Sequence, residues 1–561
     1  MKASRLILSF IFFLIGIINE CASLSGKEKG AYLTVPNATL FEYRQGNGLG
    51  YIGNGWDDAR MAELSTKAGY DGQRKKLPEN HFKTWGYKIE LGDAQKNRDL
   101  GILDVVGYLS TPTDEHSSKA TDNAELCYPD HLYEPIWLSN GNVNPNNYWA
   151  YYVNETVTIY KEYIKIWETW NEPDYTTNHG CIGNWATNPP DPKDLSHWYG
   201  TIFQYIRLLR ITYEVAKKAD PTCWVATGGL GYTQFLDGIL RYSDNPDGGK
   251  ITNEFPAYGG AYFDCEAYHQ YPKYGVTDIE TGEKYDNKGS DMLALKVVIL
   301  KKNHHYTIKQ HGFGSTYPDK LFICTETGYE SDGKYETELV RRNWILKMAL
   351  YQIEYDVKQI HQLNLVDDNG KTGGGDFSYV GKFVSINEGE KHIKSSSKAR
   401  IILKKMNLGK YIFDSEKTKN FRSSLPSGVT GIVLKRKGDK VENEKYYSKY
   451  MYSIWLYCDN EEQKKEVKYK LDLPFDPKMI DWEGNEKRIS KTSKVKLTGT
   501  PIFLIEGGKK KKSGFVIFLE VVGFILLFGV IIVGGLFCYR KFYQKRTVPL
   551  DKNFFKSLII N

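Results

Sequence analysis

Residues 163–174 read Tyr163-Ile-Lys-Ile-Trp-Glu-Thr-Trp-Asn-Glu-Pro-Asp174, an apolar, β-rich run that ends on a polar turn carrying Glu172. A second such run, Leu321-Phe-Ile-Cys-Thr-Glu-Thr-Gly328, ends the same way on Glu326. Short runs of this kind, bounded by turn residues, read as buried strands. Working outward, six more are found, and the full set of candidate strands is 49–54, 70–75, 102–109, 163–170, 223–228, 262–270, 321–326 and 357–365. Helical patterns separate them at 57–68, 79–100, 146–161, 196–218, 233–242, 291–310 and 335–355, and a last one follows at 396–408. In the clearest, Trp198, Ile202, Tyr205, Ile206, Leu209 and Tyr213 recur at helical spacing, with Pro221 just beyond the end. Eight strands, each followed by a helix, predict a closed parallel (β/α)8 barrel of the TIM type over 30–425.

In such a barrel the chemistry lies on the loops at the C-terminal ends of the strands. Glu172 and Glu326 stand at the tips of the fourth and seventh strands, so both belong to that face. One carboxyl able to give and take a proton, opposite another able to attack, is the pair that double displacement at a sugar carbon requires. Glu168 has the strand parity of Glu172 but lies about 13 Å deeper at roughly 3.3 Å per residue. It reads as a hydrogen-bonded interior carboxylate.

Beyond the barrel the pattern changes to short β runs separated by polar turns, such as Tyr452-Ser-Ile-Trp-Leu-Tyr and Thr500-Pro-Ile-Phe-Leu-Ile. They predict a C-terminal antiparallel β-sandwich over 426–507. Lys2 and Arg5, the apolar run Leu6–Ile18 and small residues near Ser23 predict a signal peptide over 1–23. After a basic stalk at 508–514, residues 515–539 are apolar apart from Glu520 and long enough for a transmembrane helix. Arg540, Lys541, Lys545 and Arg546 then mark a cytoplasmic tail over 540–561. The expectation is a single-pass type I membrane protein with its barrel extracellular or luminal.

The net charge of +7 resides at the ends. Residues 509–561 hold ten basic against two acidic residues, the leader adds one net positive charge, and the remainder is near −2. Nothing in that balance suggests a nucleic-acid partner. Six cysteines lie between the ends. Cys223, Cys265, Cys324 fall in strand-like runs and read as buried thiols, whereas Cys127 and Cys181 fall in loop-like stretches and could pair. Asn37-Ala-Thr and Asn154-Glu-Thr are sequons for a secreted glycoprotein.

Asn171-Glu-Pro at the end of strand four resembles the acid/base motif of glycoside hydrolase clan A, and the chain is most similar to its family of α-L-iduronidases and β-xylosidases. Thr227-Gly-Gly on strand five also resembles that family. The resemblance implies a retaining O-glycosidase with Glu172 as acid/base and Glu326 as nucleophile, acting on an oligo- or polysaccharide or a glycoconjugate. It implies that Asn171 bonds the sugar 2-hydroxyl, that Arg74 keeps the nucleophile ionised, and that His269 and Tyr271 touch the nucleophile or the sugar. His116, in a loop after strand three, and Trp170 are further candidates for substrate contact. Tyr175, Trp185, Tyr232, Tyr274, Tyr329 and Tyr379 share mouth-side segments with Trp170 and could stack on sugar faces. The pattern departs at strand eight, where His361-Gln-Leu-Asn-Leu stands in place of a tryptophan. A catalytically inactive carbohydrate-binding or adhesion ectodomain, or a transglycosylase, would use the same barrel.

Gly48-Leu-Gly-Tyr-Ile-Gly53 fits a dinucleotide fingerprint, with Asp71 about 20 residues on. An eight-strand series running on past it favours glycines that shape strand one. His304-His305 lies in a basic helical segment without partners at metal spacing, which favours surface exposure. No cofactor and no metal are expected.

Overall fold

The apolar runs pair edge to edge in chain order. The computed structural model describes residues 43–47, 58–103, 105–119, 121–123, 126–329, 335–363, 394–438, 445–460 and 464–506, and short helical stretches at 530–532 and 535–536. Its barrel strands are β1 (Arg44–Asn47), β2 (Gly72–Pro78), β3 (Val105–Ser110), β4 (Ile164–Thr169), β5 (Trp224–Ala226), β6 (Cys265–His269), β7 (Leu321–Thr327) and β8 (Gln359–Gln362). All neighbours are parallel, and β1 pairs with both β2 and β8, so the barrel closes. The principal helices are α1 (Asp58–Lys67), α2 (Glu79–Trp85), α3 (Leu91–Asp99), α4 (Tyr148–Tyr160), α5 (Ile202–Ala219), α6 (Thr233–Arg241), α7 (Ser290–Gln310), α8 (Tyr335–Glu354) and α9 (Ser395–Lys405). Helix α5 starts on a capping box, in which Thr201 and Gln204 satisfy each other's backbone amides.

One expected element differs and one lies outside the described residues. β1 is described at 44–47, and the strand expected over 49–54 falls outside the described residues, as does Gly48–Gly53. The helix expected over 79–100 breaks into α2 and α3, because Gly86 takes a φ of +84°, which favours glycine.

The C-terminal sheet begins before residue 426. Strands β9 (Tyr411–Phe413), β10 (Val429–Arg436), β11 (Tyr450–Leu456), β13 (Pro477–Ile480), β14 (Glu486–Arg488) and β16 (Ile502–Glu506) form one six-stranded antiparallel sheet in the order β9-β10-β11-β16-β13-β14. A two-stranded antiparallel sheet of β12 (Val467–Lys470) and β15 (Lys494–Leu497) stands apart from it. Alternation along the strands sends side chains both ways. Ile432, Leu434, Phe503 and Ile505 join the core shared with α7 and α8, while Val433 and Leu504 pack with Val495 and Leu497 of the two-stranded sheet. Buried Asp291 at the start of α7 ties the two parts together. It accepts from Lys347 and Tyr351 on α8, and from Trp455 Nε1 and the Cys458 amide of the sheet domain.

Several expectations are corrected. The type I membrane placement is overturned: among the described residues no helix is long and apolar enough to cross a membrane. Residues 1–23 and all but five residues of 515–539 lie outside the described residues. The six cysteines are free and buried, so Cys127 and Cys181 do not pair. His304 is not on the surface. It is fully buried against β6, with Nδ1 2.6 Å from Glu266, because the lysines around it on α7 do not all face water. Lys296 threads its stem through the core and donates to the Pro272 carbonyl. Asn154 lies within α4 with its sequon threonine, Thr156, fully buried, unlike the exposed loop a glycan acceptor favours.

Candidate active site

The chain leaves β4 through two left-handed residues, Trp170 at φ +75° and Glu172 at φ +47°. Non-glycine residues hold such angles only where their surroundings over-determine them. Here the Trp170 amide donates to Leu109 and the Glu172 amide to Gly228. The Trp170 ring is buried edge-on to Trp198, with Nε1 donating to the His197 carbonyl at 2.7 Å. It anchors the turn from beneath, which corrects its expected place against substrate. Gly228 and Gly229 have a steric role. A Cβ on Gly228 would strike the backbone of Thr169 and Trp170, and one on Gly229, at φ +64°, would strike the His269 ring. The pair lets the β5 loop press against both the Trp170–Glu172 turn and β6.

On the opposite side β7 is irregular. Tyr268 of β6 pairs with Cys324 but His269 pairs with Glu326, and on the other flank Ile360 pairs with Cys324 but Gln362 with Thr327. The register slips at Thr325–Glu326 on both flanks, as in a bulge. Two consecutive side chains, Thr325 and Glu326, therefore reach the same site, which strict alternation would forbid.

The side chains converge as follows. Glu172 Oε1 lies 2.8 Å from His269 Nδ1, and its Oε2 lies 3.2 Å from His197 Nδ1. Glu326 Oε1 accepts from the Tyr271 hydroxyl, and its Oε2 accepts from Arg74 Nη1 at 3.2 Å. Arg74 is fully buried, projects from the middle of β2, and also grips Glu168 through Nε and Nη2 at 2.5 and 3.1 Å. Its Nη2 donates to Asn171 Oδ1 at 2.8 Å, orienting that amide. Thr325 Oγ1 donates to Glu168 Oε1 at 2.7 Å and lies 3.0 Å from His269 Nε2. Six of the expected site residues, Arg74, Asn171, Glu172, His269, Tyr271 and Glu326, thus form one connected cluster, and Glu168 is the interior carboxylate expected of it.

His116 is elsewhere: it bonds Glu79 at 2.6 Å and stacks on Tyr148, so its expected substrate contact is not seen. Of the mouth-side aromatics Trp185 is buried, Tyr175 and Tyr274 are exposed, Tyr232 is half-buried, and Tyr329 leans on Trp344. Tyr379 lies outside the described residues. His361 on β8 is buried and bonded to Gln359. Two residues of the cluster are absent from the expected set. His197, which stacks on Tyr175, comes from a loop 25 positions beyond Glu172, and Thr325 shares the barrel-facing parity of Leu321 and Ile323, which could have pointed to it.

Charge is distributed unevenly over the cluster. Burial raises the Glu172 carboxyl, but hydrogen bonds and charge from His197 and His269 outweigh burial and hold it well below the usual carboxylate range. Burial lowers His269, but Glu326 and Glu172 outweigh it and raise its imidazole above the ordinary value. Burial and the adjacent Glu326 push the Tyr271 phenol up, so it stays a donor. Asp174, buried beneath the turn and accepting from the amides of Gly231 and Tyr232, is pushed up to about 6, chiefly by burial.

One atom from each of Glu172, His269 and Glu326 lies within 4.8 Å of the others, a spacing a metal ion could span. The Arg74 guanidinium, 3.2 Å from Glu326, already supplies the positive charge there, and a second cation beside it would be repelled. A cavity of about 530 Å³ lies at the opposite, N-terminal end of the strands, among Asp71, Gly101, Arg400 and Lys404, away from this chemistry.

No protein-family model matches the chain, and no curated protein matches its sequence. Solved structures do. A family 39 glycoside hydrolase from the gut symbiont Bacteroides cellulosilyticus WH2 superposes with a TM-score of 0.54 at 16% identity, over 83% of this chain and 81% of that one. A family 30 endoxylanase from Clostridium papyrosolvens C71 gives 0.48 at 12%, over 84% and 97%. A monomeric β-xylosidase from Caulobacter crescentus CB15 gives 0.42 at 12%, over 85% and 98%. The first of these likenesses shows the fold: a (β/α)8 barrel followed by a sheet domain.

Proposed function

We propose that this chain is a retaining glycoside hydrolase acting on an oligo- or polysaccharide or a glycoconjugate, with Glu326 as nucleophile and Glu172 as acid/base. One observation carries the reading: oxygens of the two carboxylates lie within 4.8 Å of each other. Retaining enzymes hold the pair about 5–5.5 Å apart, whereas inverting enzymes need roughly 6.5–9.5 Å to seat a water.

Glu326, ionised beside Arg74 and oriented by the Tyr271 hydroxyl, attacks the anomeric carbon as the glycosidic C–O bond breaks. Glu172 delivers a proton to the departing oxygen. The covalent glycosyl-enzyme is then hydrolysed by a water whose proton Glu172 takes. Asn171, its Oδ1 held by Arg74, is left with its amide N–H groups to donate to a sugar hydroxyl beside the nucleophile. Exposed Tyr175 and Tyr274 offer ring faces at the mouth.

The test is intact mass of the protein after incubation with a panel of 2-deoxy-2-fluoro glycosyl fluorides, followed by peptide mapping. A stable adduct on Glu326 is expected. A folded protein that forms none with any donor, or forms it on another residue, refutes the assignment and leaves a sugar-binding barrel.

A further inference from the structure

Resting on the reading above, the cluster poses a chemical question. An acid must arrive protonated, yet two histidines stabilise the ionised form of Glu172. Its proton has to be kept within reach, and the hydrogen-bond polarity says where. Glu168 is ion-paired with Arg74 and can only accept. The single hydroxyl proton of Thr325 is therefore committed to Glu168 Oε1. Its oxygen then faces His269 Nε2 with lone pairs, so Nε2 must carry a hydrogen. With Nε2–H fixed, His269 Nδ1 and Glu172 Oε1, 2.8 Å apart, share one further proton between them. The chain of bonds runs Arg74, Glu168, Thr325, His269, Glu172, with one permitted direction at each link as far as His269 and a shared proton at the last.

We propose that His269 stores the catalytic proton for Glu172, and that Thr325 is the positioning residue that makes it able to, by fixing the tautomer. In glycosylation the Nδ1 proton passes by way of the Glu172 carboxyl to the glycosidic oxygen, which keeps the electron pair of the broken C–O bond. His269 is left neutral with its Nε2–H intact. In deglycosylation the proton released by the attacking water returns through Glu172 to Nδ1, so no outside acid is consumed. Ordinary alternation from Leu321 and Ile323 places Thr325 for this duty, and the bulge in β7 brings Glu326 beside it.

The groups facing His269 come from four strands: Glu172 beyond β4, Glu326 at 3.9 Å and Thr325 on β7, Arg74 on β2, and the Gly229 backbone after β5. Glu172 in turn faces His197 on its other oxygen and the buried Asp174. Glu326 and Glu172 favour the imidazolium and Arg74 opposes it. Losing the Thr325 acceptor leaves Nε2–H without a partner and weakens the imidazolium, so the pair should release its proton at lower pH.

The test has two independent readouts on the full chain, for wild type, Thr325→Val and Thr325→Ser, with His269→Gln to identify the ring. The first is 15N NMR of histidine-labelled protein, which needs no activity. The proposal expects Nε2 of His269 to stay protonated across the titration while Nδ1 titrates, and Thr325→Val to abolish this preference. A His269 protonated on Nδ1 and bare on Nε2 overturns it, even if the enzyme is active. The second compares phenyl with 2,4-dinitrophenyl glycosides of whichever sugar the wild type hydrolyses. General acids contribute on the order of 10²–10⁴-fold and matter most for the poorer leaving group, so in Thr325→Val the phenyl to dinitrophenyl ratio of kcat/KM should fall by roughly tenfold or more. The alkaline limb should move to lower pH, and Thr325→Ser should restore both. A uniform loss on both substrates, with no pH shift, would mean a merely structural threonine. A wild type inactive on every glycoside but with the expected NMR pattern would refute the proposed function while leaving the fixed tautomer in place.

Discussion

Replacing Arg74 by methionine should separate what the guanidinium does for the fold from what it does for the chemistry. The side chain is fully buried and serves two carboxylates, Glu168 with paired contacts and Glu326 at 3.2 Å. At 3.2 Å and an effective dielectric of about 20, one such pair is worth about 5 kcal/mol before desolvation is subtracted. Methionine fills a similar volume but leaves two buried carboxylates without their counter-ion and the Asn171 carbonyl without the Arg74 donor. Breaking a buried ion pair from one side costs about 3–5 kcal/mol. Urea unfolding at pH 7 should show a loss of that size, without a change in slope. The sign with pH follows: a buried carboxylate without a counter-ion takes up a proton instead of staying charged. The deficit should therefore shrink as the pH is lowered through the carboxylate range, whereas a cavity defect would persist. Adduct formation at Glu326 should also slow sharply at neutral pH, because the attacking form is no longer favoured. A variant within about 1 kcal/mol of wild type at pH 7 would refute the view that Arg74 is the counter-ion of this core.

Gly229→Ala should destabilise by about 1–2 kcal/mol from its left-handed backbone alone, and more because the new methyl displaces His269; denaturant melts, with the alkaline limb of activity as second readout, check this. In Glu172→Gln the charge that His197 and His269 hold ionised is gone. Since the depressed carboxyl stabilises the fold above its unfolded value and loses this as pH falls through the folded one, the stability gap to wild type should close on acidification, read by thermal melts. His269 has the opposite sign: its raised imidazole contributes stability below the ordinary histidine value and loses it as pH rises through the raised one, so His269→Gln should close its gap on the alkaline side. Trp170→Phe removes the donor to the His197 carbonyl, and about 1 kcal/mol of stability with it, and should loosen the acid/base turn; a crystal structure of the variant would show Glu172 displaced.

Much of this was legible in the residues because period and position carry it. Seven of the eight strands lie within three residues of their predicted ends, and the two mouth glutamates follow from where strands four and seven stop. The described part of strand one, Arg-Gln-Gly-Asn, precedes the expected 49–54 because it is short and polar and resembles a turn, while 49–54 itself lies outside the described residues. Trp170 was assigned to the mouth because it neighbours Glu172, but two positive φ values in three residues swing its ring beneath the turn. His304 was assigned to the surface because lysines surround it, yet long lysine stems reach polar atoms through apolar surroundings, and Glu266 on β6 receives the ring.

Two residues escaped the sequence reading for different reasons. Alternation puts Thr325 inside the barrel with Leu321 and Ile323 and would turn Glu326 toward the helices, and a register slip on both flanks of β7 brings Glu326 to the same site. His197 reaches Glu172 across a loop whose path no local periodicity encodes. His197 bonds Glu172 directly and Thr325 bonds it through His269, and neither is one of the two carboxylates of the proposed reaction, so the proposed chemistry does not point to them. Strand period tells where a barrel can do chemistry and the carboxylates tell which chemistry. What protonation state they start from is settled by irregular backbone: a bulge, a pair of glycines and a strained turn. Within such a cluster, hydrogen-bond polarity is the more informative observable than proximity. Each link from Arg74 to His269 has one permitted donor, and removing the Thr325 hydroxyl would reopen which nitrogen of His269 carries the hydrogen in the neutral ring.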